Sequence, residues 1–338
     1  MKHNEIKSIQ QLANYLRCSY EFLNRVINNE FIIIDHKATL KTTFPHDVIL
    51  IDRLYIKKKG KVSGFRIVHS IRTFQFENSL KILNTFLSAL FSPESSVHGF
   101  IKGKSTKTNA CLHLGKQMIL SVDIENYFET ITKEMIAKAL HELGFTKEVS
   151  EWISCITTIQ GHLVQGFCTS PTIANMVTAR MDKDFAKLCG DRTVYSRYAD
   201  DLYFSSNDTI PTEVDICTII SKYGFRLNDK KTKLMKRGQN QYVTGLTVFD
   251  DKIPRIPKSI KRNLRLEIHY VRKLGYTKHA IRRLKNSELS FNNDELEFEI
   301  HEEIIKTEHR LFGWIHYIQS IEPEVGRKLH SRLLGAKR

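Results

Sequence analysis

The stretch TVYSRYADDLYFSS, residues 193–206, contains two β-rich runs that meet at Ala199, Asp200 and Asp201. Two such runs joined by a short acidic pair predict a β-hairpin with acids in its turn. Another acid, Asp123, ends the apolar run MILSVDI at 118–124. We therefore expect one sheet that presents three carboxylates from neighbouring strands.

These carboxylates point to metal chemistry when they are taken together. Each alone has an ordinary explanation, since Asp is common in turns and at strand ends. Three carboxylates on adjacent strands repel one another unless a cation lies among them. Hard oxygen ligands suit Mg²⁺, and two such ions about 3.5 to 4 Å apart can stabilise both oxygens of a phosphoryl displacement. Asp123, Asp200 and Asp201 are therefore predicted to bind two Mg²⁺ ions.

Composition limits the class of protein. The 338 residues predict two or three subdomains, and 52 Lys and Arg against 37 Asp and Glu give a net charge of +15, which favours a polyanionic partner such as nucleic acid or an anionic membrane. No run approaches the roughly 18 apolar residues of a membrane span, and the opening MKHNEIKSIQQ is too polar for a signal peptide. We therefore expect no membrane partner. Six scattered cysteines without a CxxC pair indicate no disulfide framework or zinc ribbon, so we expect a reducing cytoplasm.

Periodicity predicts an α+β chain. Helical spacing at 8–28, 77–90, 132–143 and 169–189 alternates with strand runs, including a hairpin at 48–68 around the basic turn KKKGK. Ser19 is placed to cap a second helix in the first of these segments, and Ser170 and Pro171 open the long helical pattern at 169–189. From 255 to 285, where the pattern is again helical, there are 11 Lys and Arg against one acid, and residues 286–308 then carry eight acids. The acidic stretch could face solvent, the basic stretch or a protein partner.

Four motifs give the chain a resemblance to reverse transcriptases, in which they occur in the same order. They are DIENYF at 123–128, QGFCTSP at 165–171, YADD at 198–201 and GFRLNDKKT at 224–232. The resemblance implies a right-hand polymerase fold with fingers, a palm of antiparallel sheet plus helices, and a helical thumb. The implied boundaries are an N-terminal helical extension at 1–45, fingers at 46–116, palm at 117–252 with an insertion at about 145–172, and thumb at 253–338.

Two shorter boxes resemble the retron group of these enzymes. NACLH at 109–113 fits an NAxxH box, and VTG at 243–245 follows the GFRLNDKKT motif as it does in that group. Asn109 and His113 could instead be a polar core pair, and VTG alone is a short match. One residue departs from the family pattern, because Cys168 stands where QGxPTSP has proline.

The resemblance assigns further roles. Phe128 corresponds to a sugar gate that excludes a ribose 2′-OH, and Gln165 and Gly166 would lie against the incoming nucleotide and template base. Arg66 is a candidate for the dNTP triphosphate, and Lys231 a candidate proton donor to pyrophosphate. Contacts to nucleic acid are expected from the two retron boxes and from the basic thumb, where a solvated cationic face is the alternative. These residues are Asn109, His113, Val243, Thr244, Gly245, Lys258, Lys261, Arg262, Arg265 and Arg272.

The resemblance implies an RNA-directed DNA polymerase of a retron. Such an enzyme uses dNTPs and Mg²⁺, copies a cognate structured noncoding RNA from a 2′-OH primer into branched msDNA, holds an RNA–DNA hybrid, and commonly works with an effector protein in anti-phage defence. Alternatives are a group II intron-like or other defence-associated reverse transcriptase, an RNA-dependent RNA polymerase, and an RNA-binding protein with a vestigial site. We expect no maturase or endonuclease segment in a chain ending at Arg338.

Overall fold

The structure of the chain is a computed structural model that describes residues 5–35, 44–45, 48–58, 64–285 and 293–335. It divides into two compact units, Met1–Lys104 with Leu120–Leu234, and Ser105–Ile119 with Met235–Arg338. The strands are β1 Phe31–Asp35, β2 Ile49–Lys57, β3 Phe65–Ile71, β4 Met118–Asp123, β5 Thr158–Ile159, β6 His162–Leu163, β7 Val194–Tyr198, β8 Asp201–Ser206, β9 Lys233–Lys236, β10 Tyr242–Val243 and β11 Leu246–Thr247. The helices are α1 Ile9–Tyr15, α2 Tyr20–Ile27, α3 Phe74–Leu90, α4 Thr106–Cys111, α5 Tyr127–Thr130, α6 Lys133–Glu142, α7 Lys147–Ile156, α8 Ser170–Val177, α9 Ala179–Cys189, α10 Glu213–Lys222, α11 Lys258–Lys285, α12 Asn293–Ile321 and α13 Pro323–Leu334. This mixture of helices and sheets confirms the predicted α+β class.

The first sheet contains the predicted basic hairpin. Strands β2 and β3 pair antiparallel, and β1 adds to β2 in parallel, a pairing that the sequence did not predict. Lys57 and Lys58 are exposed on this hairpin, whereas Lys59 and Lys61 lie outside the described residues. Ahead of the sheet, the Ser19 hydroxyl caps α2 by accepting a hydrogen bond from the backbone N–H of Phe22 at 3.1 Å, which confirms the predicted helix start.

The second sheet has the strand order β7-β8-β4-β9, and β7 and β8 form the predicted antiparallel hairpin. Every residue of β8 after Asp201 is buried, so this strand is covered on both faces. Rings of Phe185, Tyr195 and Phe204 lie 5.2 to 5.3 Å apart and fill part of this core. Burial of each such side chain stabilises the fold by about 1.5 to 3 kcal/mol, which fixes the hairpin whose turn carries the acids.

Two predicted helices differ from the structure in continuity. The segment 169–189 is two helices, α8 and α9, that meet at Thr178. The Thr178 hydroxyl donates to the carbonyl of Ala174 at 2.8 Å, a contact that competes with regular helix geometry. Helix α11 is interrupted at Gly275, whose φ of 77° is outside the helical region. The helical pattern predicted at 169–189 is therefore confirmed, with a break at Thr178 that the sequence did not predict.

The second unit contains the small β10–β11 hairpin and the helices α11, α12 and α13, which pack against one another. Glu322 links its parts, because its carboxylate accepts from the Lys261 ammonium at 2.9 Å and from the backbone N–H of Ile256 at 2.9 Å. Across the ranges described, none of the helices is both long enough and apolar enough to cross a membrane.

Candidate active site

The structure brings the three predicted carboxylates to one place in the first unit. Strand β4 ends at Asp123, which is 5% exposed, and the β7–β8 turn carries Asp200 and Asp201. The backbone N–H of Ile124 donates to the carbonyl of Asp200 at 3.0 Å, so the end of β4 is joined directly to the turn. This bond places carboxylates 77 positions apart in sequence on one sheet edge.

Burial and mutual repulsion raise the pKa values of two of these acids. Burial, reinforced by the charges of Asp200 and Asp123, raises the pKa of Asp201 to about 7. Burial and the charge of Asp123 also raise the pKa of Asp200. The negative charges of these carboxylates therefore repel one another, and a cation among them would remove the repulsion.

Two neighbouring side chains already bind Asp123. The Lys231 ammonium lies 2.7 Å from Asp123 Oδ2, and the Asn228 amide donates to Oδ1 at 3.0 Å. Burial lowers the pKa of Lys231, but the hydrogen bond and charge of Asp123 outweigh it and leave that pKa above its usual value. The motif resemblance predicted Lys231 at the site but did not predict Asn228, although both residues belong to the same GFRLNDKKT motif.

The donor set fits a divalent cation that prefers oxygen. Three carboxylates supply hard anionic ligands, and such an ion would neutralise the repulsion that adds to burial in raising the pKa values of Asp200 and Asp201. The three aspartates share this sheet edge, but among the residues that the structure describes, no three or more His, Cys, Asp and Glu side chains converge closely enough to hold a metal ion as they stand. The three aspartates as Mg²⁺ ligands therefore stay a prediction.

The predicted sugar gate lies on the short helix that follows Asp123. Phe128 is half-buried in α5, with its ring centroid 5.4 Å from that of Tyr127 and 6.1 Å from that of Phe100. Phe100 is 47% exposed and has a φ of 64°, which is unusual for a residue with a side chain. Phe128 therefore lies on the segment directly after the first carboxylate, and its role as a sugar gate stays a prediction.

The predicted nucleotide loop is attached to strand β3. The backbone N–H of His69 donates to the carbonyl of Gln165 at 2.8 Å, and the Gln165 side-chain amide donates to Glu129 at 3.1 Å. Gly166 has a φ of 112°, and a Cβ there would lie 2.1 Å from the carbonyl oxygen of His69. Only glycine permits this approach. Arg66, also on β3, is exposed, and its charge acts on Asp200 by lowering the pKa of that acid.

The two retron boxes lie together in the second unit. The Thr244 hydroxyl donates to the carbonyl of Thr106 at 2.9 Å, which joins the VTG segment to helix α4 of the NAxxH segment. Thr244 and Gly245 have φ values of 47° and 78°, so VTG forms the tight turn of the β10–β11 hairpin. The side chains of Asn109, His113 and Val243 have no exposed surface. This burial matches the packing alternative for Asn109 and His113, and it leaves Thr244 and Gly245 as the candidates for a direct contact.

The predicted basic thumb residues divide into two groups. Lys258, Arg262, Arg265 and Arg272 are exposed on α11 and can reach a phosphate. Lys261 differs from the prediction, because its side chain is only 12% exposed and forms an ion pair with buried Glu322. The acidic stretch also contacts the basic helix, since Glu303 lies 2.6 Å from Arg283.

Comparison with known proteins places the chain near one family. Residues 56–277 match the family described as reverse transcriptase (RNA-dependent DNA polymerase). Retron Ec86 reverse transcriptase of Escherichia coli is 29% identical over 229 residues, which cover 65% of this chain and 69% of that protein. Retron Mx65 reverse transcriptase of Myxococcus xanthus is 32% identical over 209 residues, which cover 55% of this chain and 48% of that protein, so this match spans about half of its length. A solved apo telomerase from Candida tropicalis, truncated from the C-terminal domain, aligns with a TM-score of 0.45 and 13% identity over 71% of this chain and 61% of that one.

Proposed function

Because the chain belongs to the reverse transcriptase family and resembles its retron-type members, we propose that it is the RNA-directed DNA polymerase of a retron. The observation that carries this proposal is the meeting of Asp123, Asp200 and Asp201 at one sheet edge, joined by the bond from Ile124 to the Asp200 carbonyl. Carboxylates in this arrangement suit the charge stabilisation that phosphoryl transfer needs.

Asp123, Asp200 and Asp201 would hold the metal, proposed as two Mg²⁺ ions. When bound, these ions supply charge stabilisation to the attacking and leaving oxygens of nucleotide addition. Lys231 keeps its proton at Nζ beside Asp123, so it is a suitable donor to the pyrophosphate oxygen that leaves. Asn228 orients the Asp123 carboxylate from the other side.

The substrate is proposed to be a dNTP. Phe128 follows Asp123 on the short helix α5 and presents a flat ring where a ribose 2′-OH would clash. Gln165 and Gly166, fixed to β3 by the His69 backbone, would support the base and template, and Arg66 would contact the triphosphate. The pairing of an aromatic gate with the carboxylates favours dNTP use over rNTP use and distinguishes this function from that of an RNA-dependent RNA polymerase.

The biological setting is the second part of the proposal. The template would be a cognate structured noncoding RNA, primed from one of its own 2′-OH groups, and the product would be branched msDNA in an RNA–DNA hybrid. Exposed cations of α11 would follow the phosphates of that hybrid. A retron effector protein and a role in anti-phage defence in the cytoplasm belong to the same proposal, in which the similarity to two retron enzymes supports the retron assignment alone.

Primer extension on an RNA template tests the polymerase assignment. Wild type should incorporate dNTPs, and the D200N/D201N variant should bind the same RNA without incorporating them. Asp191 is an exposed acid in the same unit, so Asp191→Asn is a matched control that should keep full incorporation. Incorporation by the D200N/D201N variant would overturn the assignment of the carboxylates. RNA binding without incorporation by the wild type would favour the vestigial alternative.

Nucleic acid that copurifies with the chain from its native cell tests the retron assignment. Sequencing should recover a short DNA joined to RNA through a 2′,5′ branch, and a debranching enzyme should separate the two strands. A polymerase that incorporates dNTPs but carries no branched product would favour a group II intron-like or other defence-associated reverse transcriptase.

A further inference from the structure

A fully buried arginine lies directly behind the acidic turn. Arg197 is on β7, two residues before Ala199, and its side chain has no exposed surface. Its Nε and Nη2 donate to the two oxygens of Asp182 at 2.8 and 2.7 Å, a paired geometry that fixes the plane of the guanidinium. Asp182 on α9 is 1% exposed and also accepts from the Tyr195 hydroxyl at 2.7 Å. Burial of a charged side chain is costly unless the charge is paired and its hydrogen-bond donors are satisfied.

The remaining nitrogen of this arginine contacts three separate segments. Nη1 lies 3.1 Å from the Tyr127 hydroxyl on α5, 3.0 Å from the Asn175 side-chain oxygen on α8, and 3.2 Å from the carbonyl of Ala199 in the turn. One planar group therefore joins the helix that carries the gate, the helix after the nucleotide loop, and the peptide between Ala199 and Asp200.

The turn behind which Arg197 lies is itself strained. Ala199 has a φ of 58°, at the first central position of a two-residue hairpin turn where glycine is usual. A non-glycine residue keeps such a conformation only when its surroundings enforce it. Besides Arg197, the contact that enforces it is Gly99, where a Cβ would lie 2.3 Å from the backbone nitrogen of Ala199.

Asn175 closes the same network from the opposite side. Its amide donates to the carbonyl of Gly99 at 3.0 Å while its oxygen accepts from Arg197, so one side chain links both groups that hold the turn. Burial disfavours the charged form of Arg197, but the Asp182 carboxylate outweighs it and leaves the pKa of Arg197 above its usual value. The guanidinium therefore stays charged and keeps all of its donors.

We propose that Arg197 is a positioning residue that holds the Ala199–Asp200 peptide and Tyr127 at a fixed separation, so that the acidic turn and the Phe128 gate form one rigid unit. This inference rests on the proposed function, because it assigns the purpose of the rigidity to metal binding and sugar selection. Arg197 contacts neither the carboxylates nor the ring of Phe128. It acts through the Ala199 carbonyl in the turn and through Tyr127 next to the gate.

Replacement of Arg197 by lysine tests the proposal. Lysine keeps the charge beside Asp182, but its single ammonium cannot span Asp182 and the Ala199 carbonyl together. Ile220→Ala is the control, because Ile220 is a buried core residue of α10 and its truncation lowers stability without touching the turn. Both variants are compared with wild type after correction for the folded fraction.

Two readouts distinguish positioning from stability. The first is Mn²⁺ binding, followed by electron paramagnetic resonance without any nucleotide, and Arg197→Lys should raise the half-saturating concentration several-fold whereas Ile220→Ala should not. The second is single-nucleotide addition, in which Arg197→Lys should lower kcat between about 10- and 100-fold and narrow the preference for dNTP over rNTP. Equal behaviour of Arg197→Lys and Ile220→Ala in both readouts would overturn the proposal.

A second variant covers failure of the first to fold. Asn175→Ala keeps the ion pair between Arg197 and Asp182 but removes one contact of Nη1 and the contact to Gly99, so it should raise the Mn²⁺ half-saturation in the same direction. Unchanged Mn²⁺ binding in Asn175→Ala would contradict the proposal. If wild type binds Mn²⁺ but incorporates no nucleotide, the proposed function fails while the Mn²⁺ comparison still decides the role of Arg197.

Discussion

Replacement of Gly166 by alanine should destabilise the nucleotide loop far more than the same change at Gly161. Both glycines have positive φ values, 112° and 79°, so both substitutions incur a backbone penalty of about 1 to 2 kcal/mol. Nothing lies within 4 Å of a Cβ at Gly161, whereas a Cβ at Gly166 would meet the His69 carbonyl oxygen at 2.1 Å. The two positions therefore differ in the close approach alone.

The extra cost at Gly166 follows from what has to move. Relief of the contact shifts β3 away from the loop and breaks the 2.8 Å bond from the His69 N–H to the Gln165 carbonyl. Loss of such a bond in a buried setting costs about 1 to 3 kcal/mol. We expect the free energy of unfolding to fall by about 2 to 5 kcal/mol in Gly166→Ala and by about 1 to 2 kcal/mol in Gly161→Ala.

Urea denaturation of both variants, read by circular dichroism, measures this difference. At a folded fraction equal to that of wild type, Gly166→Ala should also raise the KM for dNTP, because Gln165 moves with the loop, and Gly161→Ala should not. Equal losses of stability in the two variants, or a KM that does not change in Gly166→Ala, would refute the idea that β3 and the loop are held together by this approach.

Three further outcomes are expected. Phe128→Ala should raise the efficiency of rNTP use relative to dNTP use in single-nucleotide addition, and an unchanged ratio would remove Phe128 as the gate. Burial lowers the pKa of His98 to about 4 from 6.5, so the contribution of neutral His98 to stability is full above pH 6.5 and is lost as the pH falls toward 4. The free energy of unfolding should therefore fall between pH 7 and pH 5 by about 2 kcal/mol more in wild type than in His98→Gln. Arg265→Gln should reduce the salt dependence of hybrid binding by about one phosphate contact with no loss of stability. Lys261→Gln should lower the thermal midpoint, because it leaves the buried Glu322 carboxylate with only the more distant ion pair to Arg255, at 3.7 Å.

Local signals were sufficient for much of the fold. The hairpin at 193–206, the Ser19 cap and the start of α8 at Ser170 and Pro171 were predicted correctly, because strand runs, capping residues and first-turn proline act over a few residues. The break at Thr178 was missed because a threonine inside an apolar period bends a helix only through the bond its hydroxyl makes. The parallel pairing of β1 with β2 depends on contacts between distant segments, which periodicity does not report.

The site shows the same division between local and distant information. The motif resemblance identified the carboxylates and Lys231, and the structure places Lys231 against Asp123. The roles of Asp182 and Asn175 could not be inferred, because each depends on a contact with Arg197 that only the fold creates. One signal was present in the sequence, since Arg197 is the one charged residue of strand β7. Burial of Asn109 and His113 likewise depends on packing that the NAxxH box does not reveal.

The rate of the first dNTP addition to a primer on an RNA template tests whether Asp123, Asp200 and Asp201 form a catalytic carboxylate centre. Wild type and Asp201→Asn are compared in a single turnover, at equal folded fraction and with all primer bound. Burial and the charges of Asp200 and Asp123 raise the pKa of Asp201 to about 7. An uncharged isostere at this position would remove a proposed metal ligand with little change in shape. The rate of the first dNTP addition should fall by more than about 100-fold in Asp201→Asn, while RNA binding should be unchanged. A rate in Asp201→Asn equal to that of wild type would contradict the proposed carboxylate centre.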